Sequence, residues 1–109
     1  MAWLLRNGDV LASVTVTTSA IDRLRATSTL ENADCVLWCE GSRIAHSIGA
    51  SCPLDVAYLD LSRVVLAVNA LRPWRIGRPR VGASVILEGR AGSLTHWNLR
   101  PGDCLEIRE

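Results

Sequence analysis

Two groups of residues in this chain carry side chains that could do chemistry together. The first is His46, Ser47, Cys52 and Asp55, within ten residues of one another. These are the parts of a nucleophilic hydrolase, with His46 as base, Ser47 or Cys52 as nucleophile and Asp55 orienting the base, provided they reach hydrogen-bond contact. On an extended segment, however, the neighbours His46 and Ser47 point to opposite faces. Asp55 also reads as a buried carboxylate accepting backbone N–H bonds. The second group is Arg72, Trp74 and Arg75. Planar guanidinium groups beside an indole suit carboxylate, phosphate or sugar recognition, although Trp74 could equally plug the core beneath a solvated loop. Arg72, Arg75, Arg78 and Arg80 place four arginines in nine residues, a density that could meet nucleic acid. Compensating acids elsewhere and the scarcity of aromatics for stacking argue against that use. The reading that leads is a non-enzymatic binding module for a small anionic or carbohydrate-like ligand or a protein partner. A hydrolase using His46 and Asp55 and a weak nucleic-acid binder are the alternatives.

Composition narrows the field. The chain has 109 residues and a formal charge of +1, so it reads as one domain, residues 1–109, with no bulk attraction to nucleic acid or anionic membrane. All 12 basic residues are arginines. The longest apolar runs, Val64 to Val68 among them, are far short of the roughly 18 residues a membrane span requires, and no export signal is expected at the N-terminus. A cytoplasmic protein with no membrane association is expected; the oligomeric state is open. The cysteines Cys35, Cys39, Cys52 and Cys104 are read as thiols, with no metal and no cofactor. On a strand the Cα atoms of Cys35 and Cys39 would be ~13 Å apart, too far to share one zinc ion or one disulfide. A zinc site with His46 and Cys52 would need that segment to be helical.

The elements that must position these groups centre on Pro53 to Leu71, two apolar runs broken by Asp60, Ser62 and Arg63. Each run has strand length and no internal Gly or Pro, which predicts a β-hairpin. With Leu61 and Ser62 as a two-residue loop, Asp60 faces Arg63 in a cross-strand ion pair, Tyr58 faces Val65, Val56 faces Ala67 and Leu54 faces Asn69. Ala57, Leu66, Leu59 and Val64 then share the other face. Leu54, Val56, Tyr58, Val65, Leu66, Val68, Val85 and Leu87 are expected in one β core.

Upstream, Asn7-Gly8 suits a tight turn between strands Trp3 to Leu5 and Val10 to Val16. Ser19 is placed to cap a short helix, Ala20 to Ala26. Cys35 to Cys39 and Ala83 to Glu88 read as strands, and Gly89 to Gly92 as a turn. Ser93 would cap a single helical turn through Trp97, and Cys104 to Arg108 reads as a last strand after the Pro101-Gly102 turn. About seven short strands and two small helices predict a mainly β protein, a compact β-sandwich or partly open β-barrel.

Several stretches together resemble the prokaryotic domain-of-unknown-function family 192, also called uncharacterised protein family 0127. They are His46 to Asp60, Arg63-Val64-Val65, Leu71 to Arg75, Val85 to Glu88 with Ala91-Gly92, and Leu99 to Asp103. The resemblance covers roughly the last two thirds of the chain. It implies a compact β-barrel-like fold with small helices and supplies no reaction. The N-terminal third departs from the family pattern at Arg23 to Thr27, and Leu61-Ser62 lacks the glycine usual in the central turn.

A functional pocket is expected at the end of the central hairpin remote from Asp60 and Arg63. There His46, Ser47, Asp55, Arg72, Trp74 and Arg75 would meet as a cationic and aromatic rim around a histidine and a carboxylate.

Overall fold

The computed structural model describes residues 2–19 and 35–109. The helix expected over Ala20 to Ala26 and the loop that follows it lie outside the described residues. Among the described residues, seven strands form one sheet: β1 (Ala2–Arg6), β2 (Asp9–Thr17), β3 (Cys35–Glu40), β4 (Leu54–Leu59), β5 (Val65–Leu71), β6 (Val85–Arg90) and β7 (Leu105–Arg108). One helical turn, α1 (Ser93–His96), follows β6. The strand order is β5-β4-β6-β3-β2-β1-β7, and every pairing is antiparallel except β2 with β3. The first hairpin turns where Asn-Gly predicts it. Asn7 and Gly8 both hold positive φ, 53° and 83°, the conformation a type I′ turn demands and that these two residue types tolerate best.

The sheet is open but curled. Every strand contributes to one apolar layer, through Leu4, Val14, Trp38, Leu59, Val65, Leu87 and Leu105 among others; a face shared by all seven strands is the concave one. At one end the outer strands are pinched together. Val64 bridges Cys104, Val65 N–H donates to Asp103 O at 2.8 Å, and Leu105 N–H donates to Arg63 O at 3.0 Å. The mostly β expectation therefore holds as a curled, unclosed sheet. A second apolar layer lies on the other face, where Leu37, Leu54, Val56, Tyr58 and Ile86 meet Ala45, Ala50 and Ala83 from the loops. The single core expected is thus two layers: Val65, Val85 and Leu87 lie in the first, Leu54, Val56 and Tyr58 in the second, and Leu66 and Val68 are only half-buried.

The central hairpin forms with a different register. Tyr58 faces Ala67, Val56 faces Asn69 and Leu54 faces Leu71, with an irregularity between Tyr58 and Leu59, which faces Val65. The expected Asp60–Arg63 ion pair is absent because the turn uses both residues otherwise. Asp60 Oδ1 accepts N–H bonds from Ser62 at 2.8 Å and Val64 at 3.0 Å, and Asp60 N–H donates to Val64 O at 3.0 Å. Leu61, Ser62 and Arg63 make a three-residue loop whose last member is left-handed, with Arg63 at φ 64°, the geometry that commonly closes loops of this length. Arg63 reaches across to Glu40 at 3.4 Å and lies over the Trp38 ring, 5.8 Å from its centroid.

Near the C-terminus, β6 runs two residues further than expected, through Gly89 and Arg90, and the turn is confined to Ala91 and Gly92. Ser93 does not cap α1. Gly92 holds the cap position with a left-handed φ of 95° and no side-chain bond, so the capping acceptor must come from elsewhere in the fold.

Candidate functional site

Beyond Glu40 the chain leaves the sheet and lies against the segment that follows β5. Ser47 N–H donates to Arg75 O at 2.8 Å, Gly77 N–H to Ala45 O at 2.7 Å and Arg80 N–H to Arg43 O at 3.2 Å, and His46 bridges Ile76 in antiparallel sense. Residues 43–47 and 75–80 thus form an irregular antiparallel ribbon over the second apolar layer. Alternation gives it two faces. Ala45 and Ser47 are buried, whereas Arg43 and Ile44 are exposed and His46 is half-buried. Gly77 permits the close approach: a Cβ there would sit 3.0 Å from the Tyr58 hydroxyl and 3.4 Å from Ala45 O.

Ser47 is the clasp of this ribbon. Its hydroxyl donates to Arg72 O and accepts from Arg75 N–H at 2.9 Å. Its carbonyl accepts Trp74 N–H at 3.0 Å, holding Trp74 in a left-handed turn with φ 59°. Fully buried and engaged as donor and acceptor, Ser47 Oγ serves the backbone. His46 Nδ1 accepts the N–H of Ile48 at 3.3 Å, and the ring borders a cleft lined by Thr17, Thr18, Glu40 and Ser42.

Asp55 does not join this group. Leu54 and Val56 pack into the second layer, so Asp55 between them points to the opposite face of the sheet. There it supplies the missing cap of α1. Its buried Oδ2 accepts N–H bonds from Gly92 at 2.9 Å, Leu94 at 3.2 Å and Thr95 at 3.4 Å, and a hydroxyl bond from Thr95 at 3.3 Å. The expected carboxylate at the centre of a cationic rim is therefore corrected: sheet alternation commits Asp55 to the helix cap. Trp74 is no core plug either, being 65% exposed.

What the fold brings together is His46 and Ser47 with Arg72, Trp74 and Arg75, at the hairpin end remote from the Asp60 turn. Sequence reasoning missed Arg43, Ile44 and Ile76, which extend the same surface. Ile76 is 67% exposed, and the hydropathy of Arg-Ile-Ala-His-Ser at 43–47 does not alternate, so it gave no sign that Ile44 faces outward and Ser47 inward. Between Asp60 and Glu88 there is no acidic residue, while five arginines occur (Arg63, Arg72, Arg75, Arg78 and Arg80). Arg63 pairs with Glu40 at the far turn, and the other four are exposed, so the near-neutral total conceals a local run of exposed basic residues. Among the described residues no cluster of His, Cys, Asp and Glu has the makings of a metal site, and no helix is long and apolar enough to cross a membrane.

Residues 36–107 match the profile of DUF192, described as an uncharacterized ACR. The chain belongs to this family. Curated relatives include a UPF0127 protein of Pyrococcus abyssi, 38% identical over 53 residues, which cover 49% of this chain and 45% of that protein. Another UPF0127 protein, from Thermococcus sibiricus, is 40% identical over 50 residues covering 46% of this chain and 32% of that one. The matched stretches thus span less than half the length of these DUF192 relatives. Two solved structures share the fold. A Sinorhizobium meliloti protein whose name provisionally calls it a transcription regulator aligns over 97% of this chain and 91% of its own, with TM-score 0.80 and 18% identity. A Novosphingobium aromaticivorans protein of unknown function aligns over 96% and 82%, with TM-score 0.70 and 14% identity. At those identities the likeness is one of fold alone.

Proposed function

We propose that this DUF192 chain is a non-enzymatic binding module whose contact surface for an anionic partner is the outer face of the 43–47/75–80 ribbon with the Trp74 turn. The observation that carries this reading is the joint exposure of Trp74 and Ile76 in an acid-free stretch of sequence that also holds the exposed Arg72, Arg75 and Arg78. An exposed indole and isoleucine bordered by guanidinium groups supply apolar area and anion contact together, the composition favoured at interface anchors. A hydrolase reading has less support: Ser47 Oγ is occupied by Arg72 and Arg75, and Asp55 lies on the far face of the sheet.

The test is titration of the 15N-labelled protein with inorganic phosphate, glucuronate and polyglutamate, following the Trp74 indole and the Arg side-chain signals. Saturable shifts confined to Trp74, Ile76 and the flanking arginines are expected, strongest with polyglutamate, weakening with salt and lost in an Arg75→Glu, Arg78→Glu double variant. No shift at millimolar concentration of any of the three overturns the reading. Tighter binding of duplex DNA than of polyglutamate would replace it with a nucleic-acid function.

A further inference from the structure

The two outer strands of the sheet differ in how they meet solvent. β7 is four residues long and carries Glu106 and Arg108, charges that discourage another strand from adding to it. β5 is seven residues long, VLAVNAL, with neither charge nor proline. Its outer edge is closed at both ends. At Val65, the N–H and C=O bond Asp103 and Gly102; just past Leu71, the carbonyl of Arg72 accepts the Ser47 hydroxyl.

Between those closures the direction of each backbone group follows from β4. Leu59 O accepts Ser84 N–H and Pro53 O accepts Ala91 N–H, so the odd-numbered residues of β4 face β6. The even-numbered Leu54, Val56 and Tyr58 therefore face β5, and their partners Leu71, Asn69 and Ala67 face inward. Val68 and Ala70, opposite Ala57 and Asp55, turn their N–H and C=O groups to the outer edge, where no described residue bonds them. A groove of about 350 Å³ opens over the adjoining face of the sheet, between Val56 and Tyr58 of β4, Asn69 and Ala70 of β5, and Arg78 and Arg80.

We infer that this edge is a docking site for an extended, acidic segment of a partner protein, which adds to β5 as an eighth strand. The backbone of Val68 and Ala70 supplies up to four main-chain hydrogen bonds, the recognition mode of strand addition. Partner chemistry follows from charge: the groove lining holds Arg78 and Arg80 and no acidic residue, with Arg80 seated 5.3 Å from the Tyr58 ring centroid, so carboxylates on the incoming strand meet cations there. The inference rests on the anionic-partner reading above and adds to it the backbone pairing and the place where it occurs.

The experiment uses a blocked peptide of alternating Glu and Val, and the same peptide N-methylated on every residue so that neither of its edges can donate. Binding is read by fluorescence anisotropy, and amide hydrogen exchange is followed at Val68 and Ala70. Expected are binding by the plain peptide with slowed exchange at those two amides, and at least about tenfold weaker binding by the methylated form. Ala70→Pro removes only an outward N–H, a position where an edge strand tolerates proline; it should keep the fold and bind like the methylated pair. If both peptides bind equally, in a salt-dependent manner, without slowing exchange, strand addition is overturned while the cationic surface stands. If neither binds, both readings fall. Slowed exchange at Val68 and Ala70 that rises with protein concentration alone, with a dimer in sedimentation, assigns the edge to a second copy and overturns the acidic partner.

Discussion

Replacing Asp55 separates the helix-cap role from a ligand-site role. One buried carboxylate oxygen accepts the N–H groups of Gly92, Leu94 and Thr95 and the Thr95 hydroxyl. In Asp55→Ala the Leu94 N–H, on a residue with no exposed surface, loses its acceptor; such an orphan costs about 1 to 3 kcal/mol. The Gly92 and Thr95 amides belong to exposed residues and recover part of their loss through water. A total of about 2 to 4 kcal/mol is expected, above the usual range for losing a cap because of the buried donor. Asp55→Asn keeps one carbonyl acceptor and should cost about half as much, ~1 to 2 kcal/mol. For a chain of this length the alanine variant should melt about 8 to 16 °C lower. Urea unfolding gives the energies, and hydrogen exchange gives the location: Leu94 and Thr95 amides should lose protection before those of β3. Polyglutamate binding to the folded Asn variant should be unchanged, since Asp55 faces away from the ribbon. An Asn variant as stable as wild type but deficient in anion binding would refute the cap assignment.

Ser47→Ala should cost about 1 to 3 kcal/mol by orphaning Arg75 N–H, and should broaden the Trp74 and Arg75 NMR signals as the turn loosens; an unchanged spectrum would count against the clasp. Gly77→Ala should destabilise by about 1 to 2 kcal/mol, because its Cβ would stand 3.0 Å from the Tyr58 hydroxyl; equal or higher stability in thermal melts would show that the ribbon can lift without loss. Leu66→Ala should cost about 1 to 2 kcal/mol, below the range for a fully buried leucine, since Leu66 is half-buried; a larger loss in urea unfolding would place it in the core. Cys104 is exposed and Cys39 buried, so timed alkylation of the native protein followed by intact-mass measurement should label Cys104 first and Cys39 only on unfolding. Early labelling of Cys39 would contradict its packing beside Leu37 and Ile86.

How far the sequence was legible follows local chemistry. Asn7-Gly8 names its own turn because both residues tolerate positive φ, and the hairpin around it was readable to within a residue or two. The turn at Asp60 carries no such mark: the left-handed position is taken by Arg63, a residue type that gives no warning of it. The consequence for register is specific. A three-residue loop in place of two moves the pairing by one, which by itself would exchange the two faces of β5. The irregularity opposite Tyr58 moves it by one more and restores the faces for Ala67, Asn69 and Leu71, while leaving Val65 on the concave side with Leu59. Leu54, Val56 and Tyr58 were thus correctly grouped with Ala67 and Asn69 although each pair was wrong by two residues. A face pattern survives an even slip, and hydropathy alone cannot detect one.

The same alternation explains the misplacement of Asp55, whereas the position of Arg72 to Arg75 follows from chain connectivity. Proximity along the chain placed Asp55 with His46, but its two apolar neighbours in β4 had already committed it to the other side of the sheet. Read that way, Leu-Asp-Val at the start of a buried strand predicts a carboxylate facing away from whatever covers the leucine. Its buried partner must be a cluster of backbone donors, and the exposed turn at Gly92, two residues after β6 ends beside Leu54, provides one. Arg72, Trp74 and Arg75 were legible because they follow β5 directly, and any antiparallel register of β4 and β5 leaves them at the same end of the hairpin. The open backbone of Val68 and Ala70 had no sequence signal, since an outer strand is defined by what fails to pair with it. Absence of charge and proline in β5 becomes informative only once strand order puts it at the edge, and there it separates the two ends of the sheet: β7 is defended by Glu106 and Arg108, while β5 presents an undefended backbone beside arginines.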